Sequence, residues 1–199
     1  VRRTLVIACG ALARELLAVK ALNGLEHLDI ACLPAILHNR PEQIAPAVRR
    51  KIRAARGRYA DILCVYGDCG TGGALDAVLA EEGVARIEGA HCYAFYAGPA
   101  AFDALMEEEI GSFFLTDYLA RHFDRLVWKG LGLDRHPELR DDYFRHYRRM
   151  VHLVQVPDPA IAAKAAAAAA RLALPLETRF TGLGLLPTFL AGTRPSLHD

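Results

Sequence analysis

The chain has 199 residues, 53% hydrophobic and 24% charged, a balance that excludes a disordered polymer. Its 24 Lys+Arg against 23 Asp+Glu leave a formal charge of +1, so the global basic field of a nucleic-acid binder is absent. Five cysteines, an odd number in a chain long enough to bury a core, exclude a disulfide scaffold and leave packing, metal ligation or nucleophilic chemistry.

The expected organisation is one α/β domain over residues 1–199, with strands and helices alternating along it. Leu5 to Ala8 reads as a buried strand ending at Cys9-Gly10; as an apolar run it is too short for a signal peptide. A helix from Ala11 to Lys20 stops at Asn23-Gly24, and Leu28 to Leu33 is the second strand. Asn39 and Pro41 predict the start of a helix that runs to about Arg56. Asp61 to Tyr66 is the third strand. Gly67-Asp68-Cys69-Gly70-Thr71-Gly72-Gly73 then turns into a helix over Ala74 to Glu82.

A fourth strand covers Ala85 to Glu88, and His91 to Tyr96 fits strand or helix. Pro99 to Glu109 is helical by pattern. Phe113 to Leu115 is a short strand followed by an N-cap at Thr116 or Asp117. Residues 116–150 form a helical insertion, including a helix from Pro137 to Met150. Val151 to Val156 is a sixth strand, the Ala-rich run to Leu172 is a helix, and Leu176 to Leu190 is ambiguous. The fold expected is a three-layer α/β domain, its mostly parallel sheet covered by helices on both faces. No apolar stretch is long enough to span a bilayer, so the expectation is a cytoplasmic protein with reduced thiols and neither a membrane nor a nucleic-acid partner.

Ligands of open α/β sheets bind beyond the carboxyl ends of the strands. That edge receives Cys9, His38, Asp68, Cys69, His91, Cys92, Thr116 and Asp117, whereas Cys32 and Cys64 lie inside apolar runs and read as buried packing residues. Cys69 is the leading candidate. Glycines flank it, and the following helix start favours a thiolate, the form that attacks electrophiles and binds metals. Cys9-Gly10 has a similar strand-to-helix setting; the plainer reading of both is a small residue in a tight turn. Gly70, Thr71 and Gly72 offer a cradle for an anionic cofactor, although neither a P-loop nor a dinucleotide fingerprint is present.

Three thiols and an imidazole on one edge suit two chemistries. Cys9, His38, Cys69 and Cys92 would hold zinc or an iron–sulfur cluster, with no CxxC knuckle to mark it. Alternatively, facing thiols would act without metal, with Cys69 as nucleophile or with paired cysteines as acid and base, as in cofactor-independent racemases. The basic stretch Arg49, Arg50, Lys51, Arg53, Arg56 and Arg58 reads as a solvated helix face. His136, His146 and His152 lack ligand spacing, and Tyr143, Phe144 and Tyr147 read as core or interface.

Leu37-His38-Asn39-Arg40-Pro41-Glu42, Tyr66-Gly67-Asp68-Cys69-Gly70, the stretch Arg86 to Cys92, Phe114-Leu115-Thr116 and the ending Leu185 to Gly192 together resemble the domain of unknown function 1638 family. The resemblance covers nearly the whole chain and maps the family pattern onto Cys69 and Cys92 most clearly. It carries no assigned activity. Members are often encoded near corrinoid-dependent methyltransferases, which implies by association a one-carbon role, a corrinoid held by a partner, or a non-catalytic accessory to a methyltransferase. The tail Thr193 to Asp199 departs from the longer, Trp-containing ending common in that family. The partners expected are a small molecule or such a methyltransferase, with a homodimer left open.

Overall fold

The computed structural model describes residues 2–192, so the tail comparison over residues 193–199 lies outside the described residues. The fold is α/β, with its parallel strands divided between two sheets in two compact units: residues 2–95 with 185–192, and residues 96–184.

The first unit is built on β1 (Thr4–Cys9), β2 (Leu28–Leu33), β3 (Asp61–Val65) and the two-residue β4 (Ala85–Arg86), all parallel in the order β2-β1-β3-β4. Every residue of β1 is buried, as a near-continuous apolar strand covered on both faces must be. The chain leaves β1 for β2 on one side and then crosses to β3 on the other. Right-handed crossovers therefore put α1 (Ala13–Leu22) and α2 (Ile44–Ala55) on opposite faces. α2 packs with α3 (Ala74–Glu82), and α1 packs with the closing helix α9 (Leu186–Ala191). Ile44, Val48, Ile52 and Ala55 of α2 recur at helical spacing and are buried, leaving its arginines outward. Arg49 pairs with Glu81, and Arg53 and Arg56 with Glu82, so much of the basic stretch is neutralised by α3.

Two sequence expectations change here, and one left open is decided. Cys32 is exposed, because β2 is an edge strand with one side open, whereas Cys64 on the inner strand β3 is buried as expected. Asn39 does not cap α2. The chain makes two tight 3-10 turns, Ala35–Asn39 and Pro41–Gln43, before α2 begins at Ile44. The segment His91 to Tyr96 resolves as α4 (Cys92–Ala97).

The second unit carries β5 (Ser112–Thr116), β6 (Arg149–Val154) and β7 (Leu176–Phe180), parallel in the order β5-β6-β7. It begins with α5 (Pro99–Glu108). The connection from β5 to β6 is helical, as expected: α6 (Asp117–Arg121) capped by Thr116, a π-helical turn Asp124–Trp128, and α7 (Leu139–Phe144). α7 is shorter than the Pro137–Met150 expectation because β6 already starts at Arg149. The Ala-rich helix α8 (Pro159–Leu172) starts on the Asp158 carboxylate, which accepts from the Ala160 and Ile161 amides, and buries Ile161, Ala165, Ala168, Ala169 and Leu172 on the core. Among the described residues no helix is long and apolar enough to cross a membrane.

Candidate thiol site at the carboxyl edge of the first sheet

The strand order β2-β1-β3-β4 reverses direction between β1 and β3, and the crevice of an open parallel sheet forms at that switch point. Cys9 closes β1, and Tyr66-Gly67-Asp68-Cys69 follows β3, so these residues flank it.

Two glycines allow the neighbouring loops to close in. A Cβ on Gly10 would stand 3.0 Å from the Leu33 carbonyl oxygen, so glycine lets β1 run against the loop that carries His38. A Cβ on Gly67 would stand 2.8 Å from the Ala90 oxygen and 2.9 Å from the His91 Cα. Gly67 thus brings the segment leading into Cys92 against the end of β3, and the Cys69 amide seals the contact by donating to the Ala90 carbonyl at 2.9 Å.

Cys69 is half-buried and sits at φ +50°, a left-handed conformation that costs a non-glycine residue energy. Outside glycine, the described backbone takes positive φ at this cysteine and at Ala173, the αL cap of α8. Strain of this kind concentrates at functional positions.

His38, on the 3-10 turn Ala35–Asn39, approaches the Cys9 sulfur and feels the charge of Cys69. Its Nδ1 is 2.9 Å from the Ala35 carbonyl oxygen and 3.9 Å from Cys9 Sγ. A carbonyl only accepts, so Nδ1 carries the proton, and Nε2 is the basic nitrogen of the neutral ring. Burial works against the charged imidazole. The hydrogen-bonding reach and thiolate charge of Cys69, helped by the Ala35 carbonyl, outweigh it and raise the pKa above the ordinary histidine value. The ring also stacks on Tyr66, with centroids 6.0 Å apart and planes 16° from parallel.

The other thiols are of a different kind. Cys9 Sγ accepts from the Ala11 amide at 3.3 Å, but burial dominates and pushes the thiol up. Burial pushes Cys92 well above its ordinary value, and the charges of Cys69 and Cys9 add to the effect. Cys64, deeper in β3, is pushed up to about 12. Tyr66, which the sequence marks as the end of a strand and the start of a family motif, also belongs to the site. It is 1% exposed, burial holds its hydroxyl protonated, and among the described residues that hydroxyl meets no atom with full hydrogen-bond geometry. An aromatic residue between an apolar strand and a glycine was the available signal.

The glycine-rich turn is organised around its own anion. Asp68 accepts from the Thr71 hydroxyl at 2.5 Å, the Gly73 amide at 2.8 Å and the Gly72 amide at 3.2 Å. The Thr71 bond is the largest of the effects that lower its pKa. Gly70, Thr71 and Gly72 therefore surround Asp68 on the approach to α3. His91 is exposed just before α4. Burial lowers its pKa, with the nearby Asp68 opposing and His38 reinforcing the shift. Among the described residues no three His, Cys, Asp or Glu side chains stand close enough together to hold a metal ion.

No curated protein and no solved structure matches the chain. A family model does: that of the protein of unknown function DUF1638, over residues 32–190, which takes in His38, Tyr66, Cys69 and Cys92 but not Cys9. The chain belongs to this family.

Proposed function

We propose that the carboxyl edge of the first sheet is a thiol reaction centre for a small molecule, with Cys69 as the reacting sulfur and His38 as its proton partner. The observation that carries this reading is the Cys69 backbone, held left-handed at the switch point within reach of an imidazole. The Cys69 S–H proton passes to Nε2 of His38, whose Nδ1–H is held by the Ala35 carbonyl. The resulting thiolate removes a proton from an acidic carbon and leaves a carbanion, or adds to the carbon of a polarised C=X bond, whose π electrons move onto X as an anion. Cys9, Cys92 and the Tyr66 hydroxyl, all held protonated by burial, are the acids that return a proton. One sulfur beside a base, facing sulfurs held as acids, is the division of labour a racemase-like cysteine pair requires.

The test is alkylation of the whole protein with iodoacetamide, followed peptide by peptide. Cys69 is expected to react fastest near neutral pH, and His38→Gln to slow it roughly tenfold by removing the proton acceptor. Uniformly slow reaction of all five thiols would sink the proposal.

A second reading, zinc or an iron–sulfur cluster on Cys9, His38, Cys69 and Cys92, is favoured by the 3.9 Å approach of Cys9 Sγ to His38 Nδ1. It requires the other two sulfurs to close in on Nε2, the ring nitrogen that the Nδ1–H bond to the Ala35 carbonyl leaves free. Metal analysis of protein purified without oxygen decides it: a stoichiometric metal lost in Cys9→Ser supports it, and metal-free protein with intact Cys69 reactivity rejects it. A role beside a corrinoid-dependent methyltransferase rests on the family association, and co-purification of such a partner is its test.

A further inference from the structure

The second unit holds a small surface cavity of about 190 Å³ that the thiol chemistry does not use. Phe123 and Ala168 are buried at its base, and Arg121, Asp124, Lys164 and Arg171 line it. Lys164, Ala168 and Arg171 follow one another at spacings of four and three along α8, so they share one face of the helix. Arg121 and Asp124 come from the end of α6 and the π-helical turn after it.

The cavity is electrically unbalanced. Its one carboxylate, Asp124, is engaged by Arg171, whose guanidinium carbon also lies 3.8 Å above the ring of Trp128. Arg121 and Lys164 make no hydrogen bond or ion pair with any described residue, so two positive charges face the cavity uncompensated. The surrounding field has the same sign. The neighbouring His122 has its pKa lowered first by burial and then by the charges of Arg125, Arg121 and Lys164. An Arg fork, a Lys point charge and a second Arg on an apolar floor match a dianion with several acceptor oxygens better than a single carboxylate. The volume lies well below the ~300 Å³ at which ordinary organic-ligand pockets begin, so the occupant is small.

We propose that this cavity binds a phosphate group, free or carried by a small phosphomonoester, between Arg121, Lys164 and Arg171. Trp128 is the chain's single tryptophan and lies beneath Arg171, so its emission reports directly on that guanidinium. The full chain is titrated with sodium phosphate, with glycerol 3-phosphate, and with sodium chloride at equal ionic strength, reading Trp128 emission and, in parallel, heat by calorimetry. A saturable response to phosphate that chloride does not reproduce is expected. Lys164→Gln and Arg121→Gln should each weaken it about tenfold or more, the size of one charge-assisted hydrogen bond. Tighter binding of glycerol 3-phosphate identifies the phosphomonoester as the source, and equal binding identifies free phosphate. A response that follows ionic strength alone, one unchanged in both variants, or no response by either readout overturns the proposal.

Discussion

The two sheets each end beside a histidine, in surroundings of opposite character. Beyond β1 and β3, a histidine meets thiols on a backbone under strain, and a buried tyrosine hydroxyl lacks a well-formed hydrogen bond among the described residues. In the second sheet, His152 within β6 meets Asp117 just past β5, yet the arrangement is closed. His152 is 2% exposed, and its Nε2 lies 2.9 Å from Asp117 Oδ1. The second Asp117 oxygen accepts from the Gln155 and Val156 amides, while Gln155 accepts from the Asp117 amide and donates to the Leu153 carbonyl. Topology explains the difference. The order β2-β1-β3-β4 reverses at β1/β3 and opens a crevice, whereas β5-β6-β7 proceeds in one direction and leaves none. A histidine is thus a reactive candidate where its surroundings leave bonding capacity unused, and a structural staple where every partner is satisfied.

The largest effect that would break this comparison is expected at the closed edge. Asp117→Ala should destabilise the protein by about 3–5 kcal/mol, because it strands His152, the buried Gln155 amide and the partly buried Val156 amide, while leaving Cys69 alkylation in the folded protein unchanged. Urea unfolding reads the first quantity and peptide mapping the second; a mild loss of stability would remove Asp117 from its structural role. Gly67→Ala should cost about 1–3 kcal/mol, because its Cβ would press on the Ala90 and His91 backbone, and it should also alter the Cys92 alkylation rate.

Cys69→Gly reverses the sign. Relieving the left-handed cysteine should stabilise the chain by about 1 kcal/mol while removing the sulfur proposed to react, and thermal unfolding that shows a loss would contradict the strain assignment.

The smallest effects concern pH. Asp68 is lowered, so the stability it contributes is complete above its ordinary value of 3.8 and is lost as pH falls through its folded-state value. His38 is raised, so its contribution is complete below 6.5 and fades as pH rises through its folded-state value. Hydrogen exchange should therefore show residues 68–73 opening on the acid side and residues 35–39 on the alkaline side. The opposite order would contradict both assignments.

Much of the fold was legible because its signals are local. β2 and α3 fall where their apolar run and flanking glycines put them, and Thr116 and Asp158 cap the helices that follow them. The misread segments are those where tertiary pairing competes with propensity. Arg148 and Arg149 donate to the Gly111 carbonyl, and β6 then pairs with β5, so strand replaces helix at the end of an amphipathic stretch. At the site, the candidates Cys9, His38, Cys69 and Cys92 could be placed on one edge from strand ends alone. The roles of Asp68 as the anion inside its own glycine-rich turn and of Tyr66 beside Cys9 could not.

By itself, then, the sequence determined the alternating α/β character, the strand ends that carry the candidate thiols and the family pattern, all of which depend on residue type and short spacing. The tertiary structure alone decided the division into two sheets, the exposure of Cys32, the left-handed Cys69 and the different environments of its neighbouring thiols. Strand order and burial arise from contacts between residues far apart in the chain. Whether a sulfur is reactive or inert depends on those contacts, because they set its solvation and the charges around it.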